Sequence, residues 1–255
     1  MKRNRQLLAI VAAGMLMGSS TLFAKNEKGT LNTNTVLTHA ETIKSISQDF
    51  AKNYFYVQQG IQVAPAKKGL KKNMLALDDS IRSLQLAADK DSGNAVVEFM
   101  FFSIDELKMT LKESFSAENG GLVLDYTETL LEGSENIIAA NKTSTATMLN
   151  VVEEMEFLIE RASKYYIAFR AGYTDEVNIQ QAKYAVKKFE ILLKKVMAHK
   201  YPESIKKGPI KKLAKYWPVS KNFYLGIKKS DLPTIVFIST KHMKSALDKL
   251  VEYHK

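Results

Sequence analysis

Apolar residues recur along most of the chain with the three-and-four spacing of an amphipathic helix. Leu70, Met74, Leu77, Ile81 and Leu84 illustrate the pattern, because they step by four, three, four and three. Such spacing places side chains on one face of a helix with 3.6 residues per turn. Turn-forming residues interrupt the pattern near 60–65, 88–93, 118–121, 141–144, 172–175, 201–209 and 226–233. The pattern therefore predicts eight helices.

The second four predicted helices repeat the layout of the first four when the sequence is shifted by 112 residues. This shift places Lys52 on Lys164. It also aligns Gly60 with Gly172, so that turns coincide as well as apolar stripes. Short connections favour antiparallel neighbours. We therefore predict an all-α fold of two tandem antiparallel four-helix bundles, related by an internal duplication.

The breaks and the repeat divide the chain into three predicted parts. These are a signal peptide over residues 1–24, a first four-helix bundle over 33–142 and a second over 143–255. The turn near 141–144 is short. We therefore expect the fourth and fifth helices to be nearly continuous and to hold the two bundles end to end.

The N-terminal residues have the three parts of a secretory signal peptide. Lys2, Arg3 and Arg5 precede an apolar run from Leu7 to Met17, and a cleavage site follows Ala24. The apolar run is shorter than the roughly 20 residues that cross a bilayer. We therefore predict export to the periplasm and a mature chain that begins near residue 25. An uncleaved membrane anchor is the alternative.

Charge is unevenly distributed along the predicted mature chain. Residues 25–180 hold 16 basic and 22 acidic side chains, whereas residues 181–255 hold 18 lysines and 5 acidic side chains. We exclude nucleic acid as a partner, because an exported chain meets little of it and lysine lacks the planar fork of arginine. Two interpretations stay open for the lysines: a solvated helical surface, or a surface for an anionic membrane or an acidic partner.

The sequence offers no motif for catalysis, for a cofactor or for a metal ion. It has no cysteine, and its four histidines lack the spacing of helical metal ligands. It also contains no nucleophile elbow, Walker loop or dinucleotide fingerprint. The glutamates Glu153, Glu154, Glu156 and Glu160 fit a helix face near its N-terminus. We therefore predict a non-enzymatic protein with no catalytic residue, no cofactor and no metal site.

One segment of the first helix carries a family signature. Residues 45–54 read Ser-Ile-Ser-Gln-Asp-Phe-Ala-Lys-Asn-Tyr. This resembles the motif G-R-Q-R-M-L-S-Q-R-M-A-K-x-Y of the sensor domain in type IV pilus methyl-accepting chemotaxis transducers (PilJ-type) and nitrate/nitrite sensor kinases. The matching residues are Ile46, Ser47, Gln48, Ala51, Lys52 and Tyr54, with Leu158, Lys164 and Tyr166 in the second half. The resemblance in helical layout covers most of residues 35–255.

The resemblance implies a periplasmic four-helix sensing module, often present in tandem, which binds a ligand through its first helices. The candidate ligand-binding residues are Lys44, Ser47, Gln48, Lys52, Tyr54, Lys164 and Tyr166. In the nitrate sensors an arginine holds the anion. Here Lys44 stands at that position, and Glu156, which would repel an anion, stands at its counterpart in the second half.

We therefore expect an exported protein that senses or binds a ligand, without the second membrane span and output domain of the related receptors. The candidate partners are a small anion, a membrane receptor or envelope protein, and a second copy bound through the first helices. The alternative is a structural helical bundle that docks envelope proteins or anionic membrane through its lysine-rich second half.

Overall fold

The structure is a computed structural model that describes residues 33–87, 95–141, 147–229 and 231–255. These ranges contain eight helices and no strand, which confirms the all-α fold. The helices are α1 (Thr33–Gln58), α2 (Val63–Ala87), α3 (Ala95–Thr110), α4 (Ala117–Asn141), α5 (Met148–Arg170), α6 (Glu176–Ala198), α7 (Lys211–Leu225) and α8 (Pro233–His254). A one-turn helix (Glu203–Ile205) and a π-helical turn (Lys206–Ile210) lead directly into α7.

The structure does not describe the N-terminal residues that predict export. The predicted signal peptide, residues 1–24, lies outside the described residues. Within the ranges that the structure covers, no helix is both long enough and apolar enough to cross a membrane.

Each half of the chain forms a ring of four helices around its own apolar core. In the first ring, α1 and α3 each contact α2 and α4, and the core includes Leu77 and Ile104. In the second ring, α5 and α7 each contact α6 and α8, and the core includes Phe189 and Leu247. Matching rings are what a duplicated four-helix unit predicts. The duplication itself stays a prediction from the sequence.

Gly60 and Gly172 end the first helix of each ring in the same way. Their φ angles are +68° and +102°, a region that favours glycine because it has no Cβ. The amide of the following residue donates to the carbonyl five residues earlier, at 2.9 Å after Gly60 and 3.0 Å after Gly172. Both turns are therefore Schellman motifs, and they lie at two of the breaks predicted from the sequence.

The two rings lie side by side, so the prediction of end-to-end bundles is wrong. α1 packs along α5. Lys44 pairs with Glu154, and Lys52 pairs with Glu160, so residue numbers rise together along the two helices. α1 and α5 are therefore parallel. Since α4 is antiparallel to α1, it also runs antiparallel to α5 instead of continuing into it.

Burial along α1 and α5 gives the physical reason for this arrangement. Every residue from 50 to 57 and from 157 to 168 is buried. A helix on the surface of a bundle buries one stripe. Continuous burial therefore marks α1 and α5 as central helices, each covered by its own ring on one side and by the other ring on the opposite side. α3 and α7 face away from this centre, at the two outer edges.

Candidate functional site

The candidate site is the α1–α5 seam, which we define as the facing surfaces of α1 and α5 together with the side chains from α2, α4, α6 and α8 that reach them. All seven candidate ligand-binding residues are buried: Lys44, Ser47, Gln48, Lys52, Tyr54, Lys164 and Tyr166. The structure brings the five non-aromatic residues of this set together along the seam. It places the two tyrosines in the cores of the flanking rings.

Lys52 lies near the middle of the seam between two carboxylates. Its Nζ is 2.5 Å from Asp49 Oδ1 and 2.5 Å from Glu160 Oε2. Asn73 of α2 donates to the other oxygen of Asp49 at 3.1 Å. Burial disfavours the charged ammonium, but Asp49 and Glu160 outweigh it and raise the pKa of Lys52. Burial likewise opposes the charge of Asp49, yet Lys52 and Lys244 lower its pKa to about 2.

Glu160 connects this lysine to α8. It is fully buried, although its position in the glutamate cluster suggested an ordinary helix face. Lys244 Nζ lies 3.7 Å from Glu160 Oε1, and that oxygen makes no hydrogen bond within the described residues. Nearby, burial and the adjacent Asp248 raise the pKa of Glu156 to about 8, although Lys244 acts in the opposite direction.

Lys164 has a different environment on the α4 side of the seam. It is fully buried and donates to Glu128, which also accepts two hydrogen bonds from Arg161 at 2.8 and 2.9 Å. Burial lowers the pKa of Lys164 to about 8, because Glu128 offsets the burial only in part and the charge of Arg161 adds to it. Arg161 also donates to Gln48 Oε1 at 3.1 Å, which ties α5 to α1.

Lys44 lies towards the N-terminal end of the seam. Its Nζ is 2.8 Å from Glu154 Oε2 and 4.5 Å from the centre of the Phe157 ring. Ser47 donates to the Lys44 carbonyl at 3.0 Å, and Gln48 Nε2 donates to the Ser47 hydroxyl at 3.1 Å. The polar atoms that sequence reasoning assigned to a ligand thus bond to neighbouring protein groups.

The two candidate tyrosines differ in how their hydroxyls are satisfied. The Tyr54 ring lies 4.8 Å from the Phe115 ring, and its buried hydroxyl has no hydrogen-bond partner in the described structure. The Tyr166 hydroxyl accepts a hydrogen bond from the Leu232 amide at 3.2 Å. Neither tyrosine contributes to the charge network of the seam.

The seam can hold opposite charges in fixed register, but it has little freedom to accept a new anion. Lys44, Lys52 and Lys164 each already pair with a carboxylate. A small anion would therefore have to replace a buried carboxylate, which leaves that carboxylate without its partner at a substantial cost. Across the described residues, no group of three or more His, Cys, Asp or Glu side chains could hold a metal ion.

Sequence reasoning missed the carboxylates that pair with the buried lysines, namely Asp49, Glu128, Glu154 and Glu160. It also missed Arg161, which shares Glu128 with Lys164. One feature of the sequence bears on these residues. Asp49 and Arg161 occupy matching positions under the shift of 112 residues and carry opposite charges. The same shift also aligns Lys52 with Lys164, which carry the same charge, so this feature alone does not show that the two helices face each other.

A second notable surface is the lysine face, at the end of the second ring where α6 ends and α7 begins. Its exposed members are Lys194, Lys195, Lys200, Lys206, Lys207, Lys211, Lys212 and Lys215. Glu203 is the single acidic residue between positions 191 and 220. Met197, which is 37% exposed, lies on the same stretch. This surface therefore combines dense positive charge with some apolar area.

The lysine face lies at the end of the molecule where α1 begins. α6 is antiparallel to α5, as the pairs Lys188–Glu154 and Gln181–Arg161 show. The C-terminal end of α6 therefore lies beside the N-terminal ends of α5 and α1.

No family model, characterised protein or solved structure matches this chain, so the resemblance to pilus and nitrate sensor domains stays a prediction.

Proposed function

We propose that this protein is an exported, non-enzymatic binding protein with a sensor-like double bundle, and that it docks on an anionic membrane through the lysine face. The observation that carries the proposal is the set of eight exposed lysines. They outnumber the acidic side chains at this end, which are Glu203 in the same stretch and Asp248 and Glu252 on the adjoining end of α8. A surface with such an excess of positive charge attracts a partner of opposite charge.

The chemistry of the lysine face favours lipid headgroups over a folded acidic partner. Lysine is a strongly hydrated point charge on a flexible stem, which suits diffuse headgroup charge better than bidentate recognition. Juxtamembrane basic clusters are attracted to anionic lipid within about one Debye length of the surface. Exposed Met197 adds an apolar side chain to the same surface.

The start of α1 lies on the same side of the molecule. This helix begins at Thr33, at the end of the molecule that holds the lysine face. The signal-like pattern of residues 1–24 is the sequence feature that supports export. Whether the segment is cleaved or retained as an anchor, α1 begins on the side of the molecule that we assign to the membrane.

Sedimentation of the full chain with lipid vesicles tests this proposal. We expect binding to vesicles that contain one third phosphatidylglycerol, weak binding to pure phosphatidylcholine, and steep loss of binding with added salt. The double variant Lys211→Glu/Lys215→Glu should lose at least ten-fold in vesicle affinity. Lys183→Glu/Lys229→Glu, exposed lysines towards the far end of the same ring, is the matched control. Equal loss in both variants, or equal binding to neutral vesicles, contradicts the proposal.

Small-anion sensing in the seam is the second candidate, and the resemblance of residues 45–54 to the sensor signature favours it. An anion there would have to displace one of the carboxylates that pair with Lys44, Lys52 and Lys164. A thermal-shift screen of small anions tests it, because a ligand that binds the folded state raises its melting temperature by mass action. A saturable shift that is lost in Lys44→Ala but kept in the exposed control Lys68→Ala supports sensing. A screen without any saturable shift contradicts it.

A further inference from the structure

An open apolar groove lies on the outer side of the first ring. It has a volume of about 430 Å³. Its apolar walls are formed by α2 and by the connection between α3 and α4, through Leu70, Met74, Leu75, Leu111 and Phe115. Small-molecule sites commonly measure about 300–1,000 Å³ and have apolar walls with a few polar groups. The groove thus has the size and the lining of a site for a small ligand.

Two lysines supply the charge of the groove. Lys67 and Lys71 line it and are exposed. They are four residues apart on α2, which places them on the same face of the helix. Neither lysine has an ion-pair partner within the described residues. In this respect they differ from Lys108 nearby in the same ring, which pairs with Asp78 and Asp105.

The second ring keeps one of the two lysines, because Lys71 corresponds to the exposed Lys183, but it differs at other positions of the groove. Under the shift of 112 residues, Lys67 corresponds to Ile179, which is buried in the second core. Leu75 corresponds to the exposed Lys187. The combination of apolar walls with lysines at positions 67 and 71 therefore belongs to the first ring, and helix geometry shared by the two rings does not account for it.

We propose that this groove binds an amphiphile with a single acyl chain and a carboxylate. The acyl chain packs on the apolar walls, and the carboxylate pairs with Lys67 and Lys71. Charge complementarity selects this class of ligand, because a neutral amphiphile leaves both lysines without a partner and a cationic one is repelled. The limited volume selects a small molecule over a protein helix.

Calorimetric titration of the full chain with monomeric dodecanoate tests the proposal. We expect saturable binding that weakens at least ten-fold in Lys67→Glu/Lys71→Glu. The matched control is Lys68→Glu/Lys72→Glu, which makes the same change of charge with exposed lysines of the same helix that do not line the groove. Its affinity should stay within two-fold of the unchanged protein. Leu75→Trp, which fills the groove without changing charge, should also weaken binding at least ten-fold.

Three results would overturn the proposal. The first is equal weakening in the two double glutamate variants, which shows general attraction to a basic helix. The second is non-saturable uptake of dodecanoate, which shows adsorption. The third is equal affinity for dodecyltrimethylammonium, which shows that the carboxylate does not contribute.

Discussion

Lys52 and Lys164 occupy matching positions in the two halves of the chain, and both are buried, but the protein treats their charges differently. Lys52 lies between the carboxylates of Asp49 and Glu160, and its pKa is raised. Lys164 shares the single carboxylate of Glu128 with Arg161, and burial lowers its pKa to about 8. Burial opposes both charges, so the number of nearby carboxylates and cations decides the direction of each shift.

A single sequence difference accounts for much of this contrast. The Lys52–Glu160 pair joins a lysine to the position that lies four residues before the matching lysine on the other helix. Lys52 faces Glu160. The residue that matches Glu160 in the first half is Gln48, which is neutral. Lys164 therefore lacks the cross-seam carboxylate that Lys52 has, and Glu128 of α4 takes that role.

Removing the Glu160 carboxylate, which pairs with Lys52 across the seam, should have the largest effect on stability. We expect Glu160→Gln to lower the free energy of unfolding by about 3 kcal/mol, because it deprives a buried lysine of one partner. Urea unfolding measures this change. Glu190→Gln removes a carboxylate that pairs with Lys221 at a half-exposed position, and it should cost less than about 1 kcal/mol. Equal costs for the two variants would show that the buried pair has no special role.

Lys164 should make stability depend on pH in the alkaline range. Its pKa of about 8 in the folded state lies below the ordinary value of 10.5 for lysine. Between pH 8 and pH 10.5 the unfolded state therefore binds more protons than the folded state. The free energy of unfolding should rise as pH increases through this range. In Lys164→Met this rise should shrink by up to roughly 3 kcal/mol, since one pKa unit corresponds to about 1.4 kcal/mol. Urea unfolding at a series of pH values gives the slope, and an unchanged slope contradicts the assignment.

Gln48→Glu should sharpen the comparison by giving Lys164 the cross-seam carboxylate that Lys52 already has. We expect the pKa of Lys164 to rise by at least about one unit. A carboxylate at position 48 would pair with Arg161, which Gln48 already contacts, and would offset the positive charge that helps to lower the pKa of Lys164. NMR titration of the lysine side chains measures this shift. Lys68, an exposed lysine on α2, is the internal reference. An unchanged pKa of Lys164 in this variant would show that the charge at position 48 does not influence Lys164.

The outer helices were predictable from the sequence because each follows a simple rule. Leu70, Leu77 and Leu84 form one buried stripe on α2, and most of the exposed positions of this helix are polar, as a bundle helix requires. Gly60 and Gly172 indicated the helix ends because of their freedom in φ. The apolar spacing and the glycines depend only on residues close in sequence, and such features predict where each helix begins and ends.

The α1–α5 seam was not predictable in the same way. Glu160, Arg161 and Lys164 are charged, and charged residues normally indicate solvent. Their burial depends on partners that lie more than 30 residues away or in the other ring. Resemblance to the sensor signature singled out Lys52 and Lys164. It gave no information about the carboxylates that hold them, because those partners are a property of how the two rings pack.

A distance between the C-terminal ends of α1 and α5 tests the side-by-side arrangement most directly. The chain has no cysteine, so spin labels can be attached to Gln59→Cys and Thr174→Cys alone. Parallel neighbouring helices with axes about 8–10 Å apart predict a label separation below about 25 Å. End-to-end bundles would separate these ends by nearly two helix lengths, over about 60 Å at 1.5 Å per residue. Pulsed electron–electron double resonance measures this separation. A distance below about 25 Å supports the α1–α5 seam, and a distance over about 60 Å contradicts it.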